Sequence, residues 1–270
     1  MRYSILNQSI DIENQTEQSF LFPLSKYVKE EVDNIPMIKI QIREIEIGGY
    51  GIETVTKNRR DIYNLFFSEK DYKQVLCALS QEYTEFILSV RDTCSEEVFL
   101  ELFITAFYSY ISMQEALLMH ASCVSYKNTG IVFTASSGVG KTTQAELWAK
   151  HEGAKILNGD KVFLKRENNG IHAWGSPWKG SSPYTENESA PLKAIVVLEQ
   201  AEENSIEKLE GLDVLEHVVP HVFFPSWDID CEQKVLSFLD KVLEETEVYL
   251  LKCRPDESAV ELLASVIKES

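Results

Sequence analysis

Residues 131–143 read Ile131-Val132-Phe133-Thr134-Ala135-Ser136-Ser137-Gly138-Val139-Gly140-Lys141-Thr142-Thr143. Four β-forming residues give way to small residues and glycines, and then to an amphipathic stretch with Leu147 and Trp148. Strand, glycine loop and helix in that order are what a chain needs to wrap phosphates. Glycines let successive N–H groups curl around phosphate oxygens, and the following helix presents its positive end to them. Lys141 then neutralises the outer phosphates, and the Thr142 hydroxyl is suited to ligating Mg²⁺. Ser136, Ser137, Gly138, Val139, Gly140, Lys141, Thr142 and Thr143 are therefore the predicted nucleotide-binding set. Ala135 stands where the usual pattern has its first glycine, which demands a backbone angle alanine can adopt. The competing reading is an ordinary strand-to-helix turn with an exposed lysine.

Downstream of this segment the chain alternates strand and helix patterns. Strands are expected at Gly130–Thr134, Lys155–Leu157, Val162–Leu164, Ala194–Leu198 and Val248–Leu251, and helices at Lys141–Lys150, Cys231–Leu243 and Asp256–Ile267. Pro255 and Asp256 announce the last helix, with Asp256 as its N-cap. Such alternation predicts an α/β nucleotide-binding unit over 116–270. Upstream, Ile38, Ile40 and Ile42 alternate with polar residues as a half-buried strand does. The phase slips at Ile45 and Ile47, suggesting a bulge or a new strand before the turn at Gly48-Gly49. Helical spacing is read over Asp71–Leu79 and Glu96–Leu118, the latter with Phe99, Leu102, Phe103, Ala106, Phe107 and Tyr110 on one stripe. Residues 1–115 are thus expected to form an α+β region of unassigned role.

The 270 residues are 44% hydrophobic and 26% charged, ordinary globular usage that excludes disorder, collagen and coiled coil. The formal charge of −17 repels phosphate backbones and disfavours nucleic acid as a partner, while leaving room for a nucleotide met by amides, one lysine and a metal. Cys77, Cys94, Cys123, Cys231 and Cys253 are odd in number and far apart, which signals neither a disulfide framework nor a zinc site and points to a reducing cytoplasm. The start lacks the pattern of a signal peptide, and the greasiest stretch, Val98–Ile111, is too short to span a bilayer. No membrane partner is expected, and homo-oligomerisation is left open.

Met119-His120-Ala121-Ser122, the loop through Thr143, and Ile156-Leu157-Asn158-Gly159-Asp160-Lys161 resemble, in order and spacing, the catalytic domain of HPr kinase/phosphorylase, a serine kinase. The resemblance covers residues 115–200. It implies the P-loop fold shared with ATP-dependent phosphoenolpyruvate carboxykinases, and ATP and Mg²⁺ as cofactors. It also implies phosphate and metal roles for Lys141 and Thr142, and Mg²⁺ coordination by Asp160. Gly159 replaces the family's first aspartate, which is expected to accept the serine proton. His120, upstream of the loop as in the family, is the candidate to take that proton instead.

Each of these residues has a plainer reading: a turn residue for Asp160 and a satisfied structural imidazole for His120. The Trp174–Ser182 segment is either a loop that closes over substrate, with Lys179 as its catalytic cation, or an ordered hairpin whose tryptophans pack the core. Arg254 reads as an ion-pair partner for neighbouring acids. The expected activity is transfer of the γ-phosphoryl group of ATP to a hydroxyl, most plausibly serine, of a peptide or small protein. The alternative is a nucleotide-binding sensor or assembly protein that has lost the base, as Gly159 suggests. Carboxykinase chemistry is disfavoured, because the chain is about half the usual size and the required arginine, lysine and histidine are not located.

Overall fold

A computed structural model describes residues 1–17, 22–28, 37–44, 56–58, 62–69, 72–78, 82–90 and 95–269. The expected turn at Gly48-Gly49 and the phase slip before it lie outside them. The chain divides into two compact units, 1–113 with 225–233, and 114–224 with 234–270.

The first unit carries β1 (Arg2–Ile5), β2 (Gln8–Asn14), β3 (Met37–Glu44), β4 (Thr56–Asn58), β5 (Ile62–Glu69), β6 (Tyr72–Ala78), β7 (Glu85–Val90) and helix α1 (Glu96–Ser112). They form one sheet in the order β1-β2-β3-β7-β6-β5-β4. The alternation in β3 sets its faces, with Ile38, Ile40 and Ile42 buried and Lys39, Gln41 and Arg43 exposed. The helical reading of 71–79 is corrected: Tyr72–Ala78 is a strand, paired antiparallel with β5 and β7. Seven residues are too few to fix a period, and aromatic and β-branched Tyr72 and Val75 favour the partners a sheet supplies. In α1 the stripe from Phe99 to Tyr110 is buried as its spacing requires.

Helix α1 stops at Ser112, short of the expected Leu118. Glu115 adopts a left-handed φ of 51°, which breaks the helix, and Ala116–Tyr126 then runs as strand β8. Ala116, Leu117, Leu118 and Met119 are all buried, and such a continuous apolar run has no period to separate strand from helix. His120, expected after a helix, therefore sits inside a strand.

The second unit continues with β9 (Thr129–Thr134), α2 (Lys141–Glu152), β10 (Lys155–Asn158), β11 (Lys161–Glu167), β12 (Gly170–Trp174), β13 (Ser189–Gln200), β14 (Ser205–Lys208), α3 (Leu212–Val218), β15 (Val222–Phe223), the part of α4 (Ile229–Glu245) from Lys234 on, β16 (Glu247–Cys253) and α5 (Glu257–Glu269). Its centre is parallel, with β13 between β9 and β16, as buried, near-continuous apolar strands require. Phe133, Val196, Leu251, Trp148 and Leu263 form one core between these strands and helices α2 and α5. Asp256 caps α5 as expected, its carboxylate accepting from the Ala259 N–H at 3.2 Å. Cys123 and Cys231 are buried free thiols and Cys253 a half-buried one. Among the described residues no helix is long and apolar enough to cross a membrane.

Candidate functional site

The loop between β9 and α2 needs its glycines. Gly138 has φ 81° and Gly140 φ 125°, both in the range that favours glycine. Ala135 has no positive φ and is buried, so alanine at the departed position is accommodated. Helix α2 starts at Lys141, and its first turn closes with Gln144 N donating to Gly140 O at 2.9 Å.

Lys141 is not the exposed lysine of the plainer reading, being only 7% accessible. Its Nζ donates to Ala135 O at 2.9 Å and Ser136 O at 3.3 Å, and lies 3.0 Å from His120 Nε2. An ammonium only donates, so Nε2 accepts, and the imidazole proton resides on Nδ1. That nitrogen faces Asp160 Oδ1 at 3.3 Å, while Lys161 Nζ donates to Asp160 Oδ2 at 3.0 Å. The His120 hydrogen bond, ahead of Lys161, holds the Asp160 carboxyl at about 2 against an ordinary 3.8. Burial pushes the Lys141 pKa down, and the charge of Asp160 opposes that shift.

Strand β8 brings these residues together. Its first half pairs with β11, placing His120 opposite Lys161, and its second half pairs with β9, placing Ala121 opposite Thr134. At the handover Ala121 N donates to Asp160 O at 3.0 Å, and Thr134 Oγ1 donates to His120 O at 2.9 Å. The end of β9, the middle of β8 and the start of β11 thus meet at one point.

The Asp160 turn is locked by Asn158, whose side chain is fully buried. Its Oδ1 accepts from the N–H groups of Asp160 at 2.8 Å and Lys161 at 2.9 Å, and its Nδ2 donates to Ser176 O at 2.9 Å and Trp178 O at 3.2 Å. The turn reading and the site reading of Asp160 are therefore compatible: an Asx turn aims the carboxylate.

A cavity of about 360 Å³ opens at this junction, lined by the loop from Ser137 to Thr143 except Val139, by His120, Gly159 and Asp160, and by Ser181, Ser182 and Pro183. Ser136 contributes its carbonyl to Lys141 and does not line the cavity. Lys179 is exposed and also lies off the lining; its carbonyl accepts from Ser182 N at 3.0 Å. Trp174 and Trp178 are buried, as the core-packing reading holds, but the expected hairpin is corrected: β12 ends at Trp174 and the chain through Ser182 is an irregular loop. Gly159 has no room for a side chain: a Cβ built there would overlap Ser182 Oγ and lie 2.6 Å from Ser182 Cβ. Gly180, with φ 56°, lets the loop close on Asp160, a Cβ there falling 2.7 Å from its Oδ2.

The donor set suits Mg²⁺ held with phosphate. Asp160 is ionised, and the Thr142 hydroxyl donates to Gly159 O at 3.0 Å, which leaves its lone pairs to ligate. Among the described residues no group of three or more His, Cys, Asp or Glu could hold a metal alone, and Mg²⁺ commonly takes one or two carboxylates plus phosphate oxygens and water.

Sequence reasoning passed over four contributors. Ser122, fully buried, donates to Lys141 O at 2.7 Å and fixes the helix start. Asn158 and Ser182 act as above. His221, on the short turn before β15, feels the site electrostatically, its imidazole pKa being lowered by burial and then by the charge of Lys141. The Asn-Gly-Asp turn chemistry could have flagged Asn158; nothing local marks the others.

No protein-family model matches the chain, and no curated protein matches it. A solved structure of the Hpr(Ser) kinase/phosphatase from Coxiella burnetii is similar with a TM-score of 0.34 and 12% sequence identity, over 56% of this chain and 88% of that one. The chain is of the mixed α/β class.

Proposed function

We propose that residues 116–270 form a P-loop phosphotransferase unit of the HPr kinase-like type. It transfers the γ-phosphoryl group of ATP to a hydroxyl, most plausibly serine, of a peptide or small protein. The observation that carries this reading is the convergence of Lys141, His120 and Asp160, with His120 within hydrogen-bonding distance of both of the others, on the cavity that the glycine loop also lines.

Backbone amides of Gly138 to Thr143 hold the phosphates at the positive end of α2. Mg²⁺ bound through Thr142 and Asp160 supplies charge neutralisation for the transferring group. Lys141 turns its ammonium from His120 to the phosphate, which frees Nε2 as the acceptor. The hydroxyl oxygen then bonds to the γ-phosphorus, the β,γ-bridging P–O bond breaks with its electrons leaving on ADP, and the hydroxyl proton passes to His120 Nε2. Asp160 at Nδ1–H stabilises the imidazolium so formed.

Calorimetric titration with ATP·Mg²⁺ and transfer from radiolabelled ATP to serine peptides test the reading. Lys141→Met should lose binding or transfer; because Lys141 is buried, its melting curve is recorded alongside, and Thr142→Ala supplies a second variant with a raised Mg²⁺ requirement. A parent protein that binds neither ATP·Mg²⁺ nor pyrophosphate would overturn it. One observation favours a second reading, a nucleotide-binding sensor or assembly protein: Ser182 fills the space in which a carboxylate at 159 would stand. Tight binding without transfer to any hydroxyl would select it.

A further inference from the structure

Among the described residues three serines line the cavity that Lys141, His120 and Asp160 share: Ser137, Ser181 and Ser182. Their hydroxyls are not equivalent. Ser137 belongs to the loop that wraps the donor's phosphates, whereas an attacking oxygen must come in line with the breaking bond, from off that loop. Ser182 is 7% accessible, its Oγ accepts from Tyr184 N at 3.2 Å, and its Cβ sits against Gly159. It is held in place. Ser181 is exposed, and none of the described residues hydrogen-bonds to its hydroxyl. A tight turn carries it to the cavity wall: Ser182 N donates to Lys179 O at 3.0 Å, with Gly180 and Ser181 between them. Gly180, at its left-handed φ of 56°, passes so close to Asp160 that a Cβ there would fall 2.7 Å from Oδ2. One peptide link, about 3.8 Å between Cα atoms, separates Gly180 from Ser181. The serine is thereby tethered beside the carboxylate assigned to Mg²⁺, on the cavity that the glycine loop also lines. A hydroxyl tethered in this way reacts as if at a concentration that no dissolved peptide reaches.

We propose that Ser181 is an internal phosphoryl acceptor, a self-modification site that the chain phosphorylates in cis. This rests on the phosphotransferase reading above and adds to it an acceptor within the chain itself. The Ser181 Oγ–Pγ bond forms, the β,γ-bridging P–O bond breaks with its electrons leaving on ADP, and the hydroxyl proton passes to His120 Nε2. The products are ADP and a phosphoserine at 181.

The test incubates the full chain with ATP·Mg²⁺ and no peptide, then maps its phosphopeptides by mass spectrometry. About one phosphate per chain should appear, on Ser181, with a first-order rate constant that stays within about twofold over an about hundredfold range of protein concentration. Ser181→Ala should lose this phosphate, and Ser181→Thr should keep it as phosphothreonine at 181. Thr142→Ala should need for self-labelling the same raised Mg²⁺ concentration that it needs for transfer to peptides, which ties the label to this site. Phosphate only at other residues, or a rate proportional to protein concentration, would overturn the internal acceptor. Transfer to serine peptides by a parent that never labels itself would do the same and leave the phosphotransferase reading standing. Binding of ATP·Mg²⁺ with phosphate on neither chain nor peptide would overturn the internal acceptor and select the sensor reading. A parent that does not bind ATP·Mg²⁺ at all would overturn the loop reading and the acceptor with it.

Discussion

Gly159→Ala adds one methyl group at the most crowded point of the site. Its Cβ would lie 2.6 Å from Ser182 Cβ, whereas carbon atoms rest at about 3.5–4.0 Å, so one of the two must move by about 1 Å. Rotating the Ser182 side chain relieves only the overlap with Oγ. The Cβ–Cβ approach remains, and it can open only by shifting backbone. That backbone is held, Ser182 N donating to Lys179 O at 3.0 Å and Tyr184 N donating to Ser182 Oγ at 3.2 Å. Overpacking of this kind costs about 1–3 kcal/mol, and each kcal/mol lowers the melting temperature of a chain this size by about 2–4 °C. Thermal and urea unfolding of the parent, Gly159→Ala, Ser182→Gly and the double variant form a closed cycle. Ser182→Gly alone should cost about 0.5–1 kcal/mol in backbone entropy plus the hydrogen bond from Tyr184. The double variant should regain at least about 1 kcal/mol over the sum of the two singles. A Gly159→Ala protein as stable as the parent, or strictly additive effects, would refute the packing argument. The same geometry predicts that Gly159→Asp is not accommodated unless Ser182 is removed with it.

Three further outcomes follow from the Asp160 and His120 contacts. Asp160→Asn should raise the Mg²⁺ concentration needed for nucleotide binding or transfer, read by metal titration at fixed ATP. The same variant should be less stable than the parent by about 1–2 kcal/mol at neutral pH after allowing for partial solvent screening. A carboxyl depressed in the folded state contributes fully above its ordinary 3.8 and loses that contribution as pH falls toward about 2, so the gap should close across that window in urea titrations. His120→Ala should lower transfer by about 10²–10⁴-fold with ATP affinity within about threefold of the parent, as measured by single-turnover transfer and calorimetry. Full transfer by that variant would remove the histidine from proton transfer.

The parts of the structure legible in the sequence are those written locally. Gly138 and Gly140 mark a loop because only their backbones reach the required φ, and the apolar stripe of α1 has enough turns to declare its period. Asp256 before Glu257 is read as a cap by short-range hydrogen bonding alone. Tyr72–Ala78 was not legible as a strand, because its conformation is decided by β5 and β7 on either side. Ala116–Leu118 looked like more helix because burial on both faces erases the alternation that identifies a strand. At the site, His120, Lys141 and Asp160 were nameable as candidates, but the burial of Lys141 and the hydrogen bond joining it to His120 depend on sheet register. Ser182 reaches the cavity from a distant segment through a loop, so no spacing in the chain announces it.

Strand β8 changes partners at His120 and Ala121, and this ties the chemistry to the order in which the sheet is assembled. A slip of one residue between β8 and β11 would turn His120 to the opposite face of the sheet and carry Asp160 away from it. A fragment ending before β11 holds all three residues but lacks the pairing that joins them, and no misregistered sheet retains the cluster. Because the pairings that create it are long in sequence separation, they are expected to close late in folding. A chain still emerging from the ribosome would then expose a glycine loop without its histidine–aspartate pair. Under the proposed function, phosphoryl transfer would begin only when the sheet has been paired correctly, and that activity would then read out strand register.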